Sequence, residues 1–400
     1  MSALHQICIL LALILPFIVS DHQRTERRLS NDVCRAVTAT AHKINASPKT
    51  FTFRCRPGDD CGGVGDRLGG VIGGAFYAFL HDRSFRIIWP GLDQIFTPGA
   101  LNWTFDATAL KIPFFDQKGE EIDKTRISHN VGGLIYTDVT GENVGVVNDL
   151  NTRQIVNQTA VAIMEKYQHI YFHSNRGPND EMYAQVRDKN KWPTVGSVQD
   201  SYAAAFLCTF EAMFRPAEPF LKSEYKSFGR QPMSFKHLLK IVEDANITSV
   251  AFHHRVDDGI ASSNGAGDLI SDHAIGNMIS IAQRHNPAGK KVNLFFISNS
   301  IHSMHKVMNS TLLKGAFEQI FCQQLTATIH VAEAGPKAIL STMQAMRDWW
   351  VMRMSDVLIG GQSGFSKSAA LFAPVQQVRY EDEGGAYRPD YWVMCGNRFC

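Results

Sequence analysis

An excess of charge of either sign is what this 400-residue sequence lacks: 40 Lys and Arg face 38 Asp and Glu, a formal net charge of +2. With no field of one sign to draw polyanions, nucleic acid is not expected as a partner. No segment repeats at a fixed period and no tract is of low complexity, which excludes solenoids and other repeat architectures. The cysteine spacings match no zinc site, and no Gly-Lys-Ser/Thr completes a Walker loop. No apolar run reaches the ~20 residues that a membrane-spanning helix needs. What remains is 44% hydrophobic and 20% charged, a composition that fills the cores of two ordinary mixed α/β domains.

The longest uncharged apolar run, Ile7 to Val19, has the length of a signal-peptide h-region. Its flanks are unusual, because only His5 precedes it while Arg24, Arg27 and Arg28 follow. A cleaved signal peptide, an atypical membrane anchor and a buried core segment all stay open. Asn-X-Ser/Thr sequons begin at Asn45, Asn102, Asn157, Asn246 and Asn309, in keeping with entry into the secretory pathway. In an oxidising lumen, Cys55–Cys61 and Cys395–Cys400 are the expected short-loop disulfides. Seven cysteines beyond the apolar run leave at least one thiol free or paired between chains.

Residues 21–48 are polar and basic, as in a stem or linker. Phe51-Thr-Phe-Arg54 alternates as a strand, and a glycine-rich turn from Cys61 to Gly70 opens a helix on Leu68, Ile72, Ala75, Phe76 and Phe79. With the strand Phe85 to Trp89 this makes a βαβ unit. Residues 90–152 are irregular. Further strands are expected at His169–His173, Ser249–His253, Val292–Ile297, Thr328–Val331 and Asp356–Ile359. Helices are expected at Tyr202–Met213, His237–Asp244, Asp272–Gln283, Lys337–Met354 and Ser366–Phe372. Alternation on both sides of residue ~240 predicts two doubly wound, Rossmann-like domains facing across a cleft. The expected divisions are 1–20 (signal or anchor), 21–48 (stem), 49–240 (acceptor side) and 241–400 (nucleotide-sugar side).

Three segments could carry chemistry. The glycines from Gly62 to Gly70 would let backbone N–H groups approach an anion at a helix start, or simply make a tight turn. Val250-Ala-Phe-His253-His254-Arg255-Val256-Asp257-Asp258 is an apolar strand that ends in imidazoles, a guanidinium and carboxylates. Ligands bind at such strand ends, and an arginine fork suits phosphate oxygens; a solvated turn with a local ion pair is the plainer alternative. Asp356 to Leu371 repeats the pattern, with an apolar strand, a glycine-serine turn and a Ser-capped helix.

Taken in order, these segments resemble the fucosyltransferase superfamily. Gly63-Val-Gly65-Asp66-Arg67-Leu68, with Ala78-Phe-Leu80 and Arg83 to Trp89, is similar to its opening Gly-x-Gly-Asn-Arg-like turn, helix and strand. Met213-Phe214-Arg215-Pro216 is similar to a short Phe-x-Pro segment. His253-His254-Arg255 with Asp258 resembles its His-x-Arg…Asp motif. Phe295-Phe-Ile-Ser298-Asn299-Ser300 resembles a strand that ends in Ser/Thr-Asp-Ser. Ser363-Gly-Phe365-Ser366, with Ala369-Ala370-Leu371, resembles the donor-binding Ser-x-Phe-Ser…Ala-Ala segment. The islands span residues 55 to 373, while 90–152 is unmatched. Asp66 stands where Asn is usual, and Asn299 where Asp is usual.

The resemblance implies a GT-B-like fold and an inverting transfer of fucose from GDP-fucose to a glycan or glycoprotein acceptor. No cofactor and no metal ion are expected, and the place of action is the secretory-pathway lumen, in the Golgi. Arg255 would meet the charge that develops on the leaving diphosphate. Gly63, Gly65, Arg67, His253, Asp258, Ser298, Ser300, Ser363, Phe365 and Ser366 would line the donor site. Asp66 is the first candidate for the general base, with His254 and Asp258 in reserve. Another nucleotide sugar, or a non-catalytic carbohydrate-binding relative, is the alternative.

Overall fold

The computed structural model describes residues 31–55, 63–104, 134–138, 169–173, 180–194, 198–255, 270–286, 289–324, 336–361, 363–373, 378–382, 394–395 and 398–399. Its first half is organised by four strands. Residues 31–45 form helix α1, followed by β1 (Thr50–Arg54), α2 (Val64–Leu80), β2 (Ser84–Ile88), α3 (Leu92–Ile95) and β3 (Phe96–Pro98). Then come β4 (Leu134–Asp138), β5 (His169–His173), α4 (Asp180–Asn190), α5 (Val198–Met213) and β6 (Phe214–Pro216). The sheet order is β2-β1-β5-β4, with β1 parallel to both neighbours and β4 antiparallel to β5.

Alternation in β1 buries Phe51 and Phe53 against α2, whose Leu68, Ile72, Ala75, Phe76 and Phe79 recur at helical spacing. Gly74 of α2 lets helix and sheet approach closely. A Cβ there would lie 2.6 Å from the Phe172 ring and 2.7 Å from that of Phe85.

A connector of short elements leads to the second sheet: α6 (Glu218–Lys222), β7 (Glu224–Tyr225), β8 (Met233–Ser234) and α7 (Phe235–Val242). Ser234 caps α7 by accepting the His237 N–H. The second half continues with β9 (Ile247–His254), α8 (Asp272–Arg284), β10 (Lys291–Ser298), α9 (Ile301–Asn309), α10 (Thr311–Ala316) and β11 (Gln319–Cys322). It closes with α11 (Pro336–Met354), β12 (Val357–Gly361), α12 (Gly364–Leu371), β13 (Val378–Asp382), β14 (Met394–Cys395) and β15 (Arg398–Phe399). The order is β11-β10-β9-β12-β13-β14-β15, parallel from β11 to β13 and antiparallel at the last two pairings.

Each central strand of this sheet buries both faces. Val250, Phe252, Leu294, Phe296, Val357 and Ile359 pack with α8, α9 and α10. Ala251, Phe295, Ile297, Phe321 and Leu358 face the other way, into a core continuous with that of the first sheet. That sharing explains why these strands are near-continuous apolar runs.

The two halves meet where α5 packs on α11 and α12. Phe210 lies 5.4 Å from the Trp349 ring and 4.7 Å from that of Phe372. Arg353, buried among them, donates from Nε to the Phe372 carbonyl at 2.6 Å and pairs with Glu211. Its guanidinium sits 4.9 Å from the Phe210 ring centre and 4.6 Å from that of Trp350.

Several expectations change. The stem assigned to 21–48 does not extend over 31–45, because Val33, Val37, Ala41 and Ile44 form a buried helical stripe. A disulfide, Cys34–Cys208, ties that helix to α5 across a sequence separation of 174. Cys55 is also disulfide-bonded, and Cys322 is a buried free thiol. Cys61 and Cys400, the partners expected for Cys55 and Cys395, lie outside the described residues. So do the apolar run 7–19 and the strand expected at 328–331. The strand beside β10 is Gln319–Cys322, earlier in the chain. Among the described residues no helix is long and apolar enough to cross a membrane.

Replacing Cys34 and Cys208 with serine is expected to cost about 2–5 kcal/mol, as loss of a disulfide closing a long loop does. Denaturant unfolding would show the loss, and limited trypsin digestion should cut α1 faster. Unchanged unfolding would mean that the α1 packing alone holds the N-terminal segment.

Candidate functional site

The parallel register sets the geometry. His253 of β9 lies opposite Ile297 of β10 on one side and Gly360 of β12 on the other, and His254 lies opposite Ser298. Three strands therefore end at one level, within one residue of one another. Arg255 is the first residue past β9 and is exposed. The sheet thus brings together His253, His254, Arg255, Ser298, Ser300, Ser363, Phe365 and Ser366 from three separate parts of the chain.

The serines build the turns. Ser298 Oγ accepts the Ser300 N–H at 3.0 Å, and Ser300 Oγ caps α9 by accepting the Ser303 N–H at 3.2 Å. Ser363 Oγ accepts the Phe365 N–H at 3.3 Å and so caps α12. In each case the oxygen accepts, which leaves the hydroxyl proton available to another acceptor. Ser366 instead donates its proton to the Ser363 carbonyl at 3.3 Å. The first amides of α9 and α12 add the donor character of helix N-termini at the same edge.

Gly360, to which the sequence reading gives no role, is the residue that allows the close approach. A Cβ there would lie 2.9 Å from both Cβ and Oγ of Ser366. The Gly360-Gly361 pair at a strand end is the sequence signal that marks it.

His253 is buried beside Phe365, with ring centres 5.5 Å apart. Its Nδ1 has no hydrogen-bond partner among the described residues. Burial first, and then the charges of Arg255 and His254, pushes its pKa down to about 3. The ring is therefore neutral at any physiological pH. His254 is half-buried and stacks on Phe296 at 6.3 Å.

The first-half residues lie differently. The Arg67 N–H donates to the Gly63 carbonyl at 3.0 Å, so α2 begins at Val64 and Gly65 belongs to the helix, not to a glycine loop. The helix closes there because its packing outweighs the poor propensity of glycine. The amides of Val64, Gly65 and Asp66 remain without intrahelical acceptors. Arg67, expected at the donor, is buried with its guanidinium 5.3 Å from the Trp89 ring centre. Asp66 lies in the first turn of α2, and its side chain is outside the described residues, as is Asp258 altogether. The helices that open after Gly63 and after Ser363, α2 and α12, pack on each other. Among the described residues no group of three His, Cys, Asp or Glu side chains converges.

No model of a known protein family matches the sequence, and no curated protein matches it in sequence. Solved structures do match in fold. A mutant of Arabidopsis thaliana FUT1 in complex with GDP aligns over 94% of this chain and 82% of its own, at 11% identity and a TM-score of 0.53. The chain shares that fold. Fucosyltransferase NodZ from Bradyrhizobium aligns over 87% of this chain and 99% of its own, at 14% identity and a TM-score of 0.40.

A neutral, buried His253 predicts a specific acid sensitivity. Its folded pKa lies below the ordinary 6.5, so the stabilisation is complete above about 6.5 and is lost as the pH falls towards 3. In urea unfolding across this window, wild type should lose up to about 1.4 kcal/mol per pH unit more than His253→Gln. Asp348, whose pKa burial raises to about 7, acts with the opposite sign but equally in both proteins. Parallel pH profiles would show that His253 is not held neutral.

Proposed function

We propose that this chain is an inverting fucosyltransferase that moves L-fucose from GDP-fucose to a glycan or glycoprotein acceptor. Its place would be the secretory-pathway lumen, in the Golgi, with residues 7–19 as signal peptide or anchor. The observation that carries the reading is the convergence of β9, β10 and β12 on one edge. There Arg255, three serine hydroxyls and two helix starts offer positive charge and donors to one anion. The fold shared with a GDP-bound plant protein supports a nucleoside diphosphate as that anion.

In the proposed reaction the acceptor oxygen attacks the anomeric carbon of fucose as the bond to the diphosphate oxygen breaks. GDP leaves with the electron pair, and inversion follows from the single displacement. The Arg255 guanidinium and the N-terminal end of α12 stabilise the charge gathering on the diphosphate. The neutral His253 places an uncharged ring atom where a second cation would be costly to bury. Asp66, in the first turn of α2, is assigned the acceptor proton. The turn at Ser298–Asn299–Ser300 is assigned to the nucleoside, and no step requires a divalent cation.

One assay with GDP-fucose and an acceptor array tests these roles together. Arg255→Lys should lose about 2–4 kcal/mol of transition-state stabilisation, because an ammonium cannot make the bidentate contact. Asp66→Asn should lose about 10²–10⁴ in turnover while GDP binding and melting temperature hold. Wild-type turnover should survive EDTA. Near-native rates in both variants would remove these residues from the mechanism, and a chelator-sensitive rate would require a metal.

A further inference from the structure

The sequon asparagines that fall among the described residues sit in different surroundings, and two of them touch. Asn102 is exposed in the segment after β3. Its N–H donates to Asn45 Oδ1 at 3.0 Å, and its carbonyl accepts from the Arg86 guanidinium. Its side-chain Oδ1 accepts the Thr104 hydroxyl at 2.7 Å and the Thr104 N–H at 3.2 Å. The middle residue, Trp103, is buried and donates from Nε1 to the Met213 carbonyl at 2.7 Å. The sequon is therefore a fixed Asx-turn on an indole anchor. Asn102 Nδ2, the atom that would carry a sugar, has no acceptor among the described residues.

Asn45, at the end of α1, has the same local signature and the opposite environment. It is half-buried; its Nδ2 donates to the Ala100 carbonyl at 2.8 Å while its Oδ1 accepts from Asn102. Both ends of this amide bind α1 to residues 100–102. A sugar on Nδ2 would replace one of its two protons and wedge into that seam.

We propose that Asn102 is an N-glycan attachment site and that Asn45 is left unmodified as a structural residue. The inference rests on the lumenal location proposed above. The co-reactant is a lipid-linked oligosaccharide diphosphate, delivered by an oligosaccharyltransferase. Asn102 Nδ2 attacks its anomeric carbon, a C–N bond forms as the anomeric C–O bond breaks, and the lipid diphosphate leaves with the electron pair. One amide proton passes to the transferase, and the second remains on Nδ2.

The full chain, produced in eukaryotic cells, is deglycosylated by peptide N-glycosidase in heavy-oxygen water and mapped by mass spectrometry. Labelled Asp is expected at position 102 and unmodified Asn at position 45. Thr104→Ala should gain the electrophoretic mobility of one lost glycan. Asn45→Gln should leave mobility unchanged and lower the melting temperature. Unlabelled Asn102 beside labelled Asn246 or Asn309, or a labelled position 45, overturns the assignment while the lumenal reading stands. Absence of label at every sequon overturns both.

Discussion

Parallel pairing of β9 with β10 on one side and β12 on the other puts three strand ends at the same level, within one residue of His253. Helices capped by Ser300 and Ser363 begin just past β10 and β12. The register therefore brings the chain at Arg255, Ser298 and Ser363 to one edge of the sheet. A one-residue slip of β12 would move Gly360 from beside His253 and bring Ile359 or Gly361 there instead. The donors collected at this edge are the product of that register and of a glycine that permits close contact, more than of any single catalytic side chain.

A second constraint holds the halves together. Arg353 is a fully formed cation in an aromatic seam, with burial lowering its pKa only to about 9. It spends its donors on Glu211 and the Phe372 carbonyl, which fixes α5 of the first half against the end of α12. Because α12 begins at the site and ends at this seam, the donor edge and the first sheet are mechanically joined. The packing of α2 on α12 reinforces the connection.

Much of this was legible in the sequence where burial is two-sided. The runs that became β9, β10 and β12 are largely apolar and stop abruptly at polar residues, so the strands and their polar ends could be placed. The α1 stripe was not legible: Val33, Val37, Ala41 and Ile44 are diluted by polar neighbours, and only the tertiary partner makes them a face. Nor could spacing suggest Cys34–Cys208, since local pairs such as Cys55–Cys61 look equally good. The glycines after Cys61 suggest a loop by propensity, yet from Val64 onward they are helical because packing against the sheet decides. Arg67 shows the limit of motif reasoning, for a cation beside a glycine turn can as well be stacked on an indole. The Gly360-Gly361 pair marks a close approach at the strand end, but only the fold shows that the neighbour is Ser366.

The most direct test of a nucleoside-diphosphate site at the β9–β10–β12 edge is a thermal-shift titration of the purified chain with GDP, against UDP and ADP. At one hundred times the dissociation constant, linkage predicts about 2.7 kcal/mol of stabilisation with GDP, a rise of several degrees, and little with the others. No shift with GDP, or equal shifts with all three nucleotides, would contradict the account.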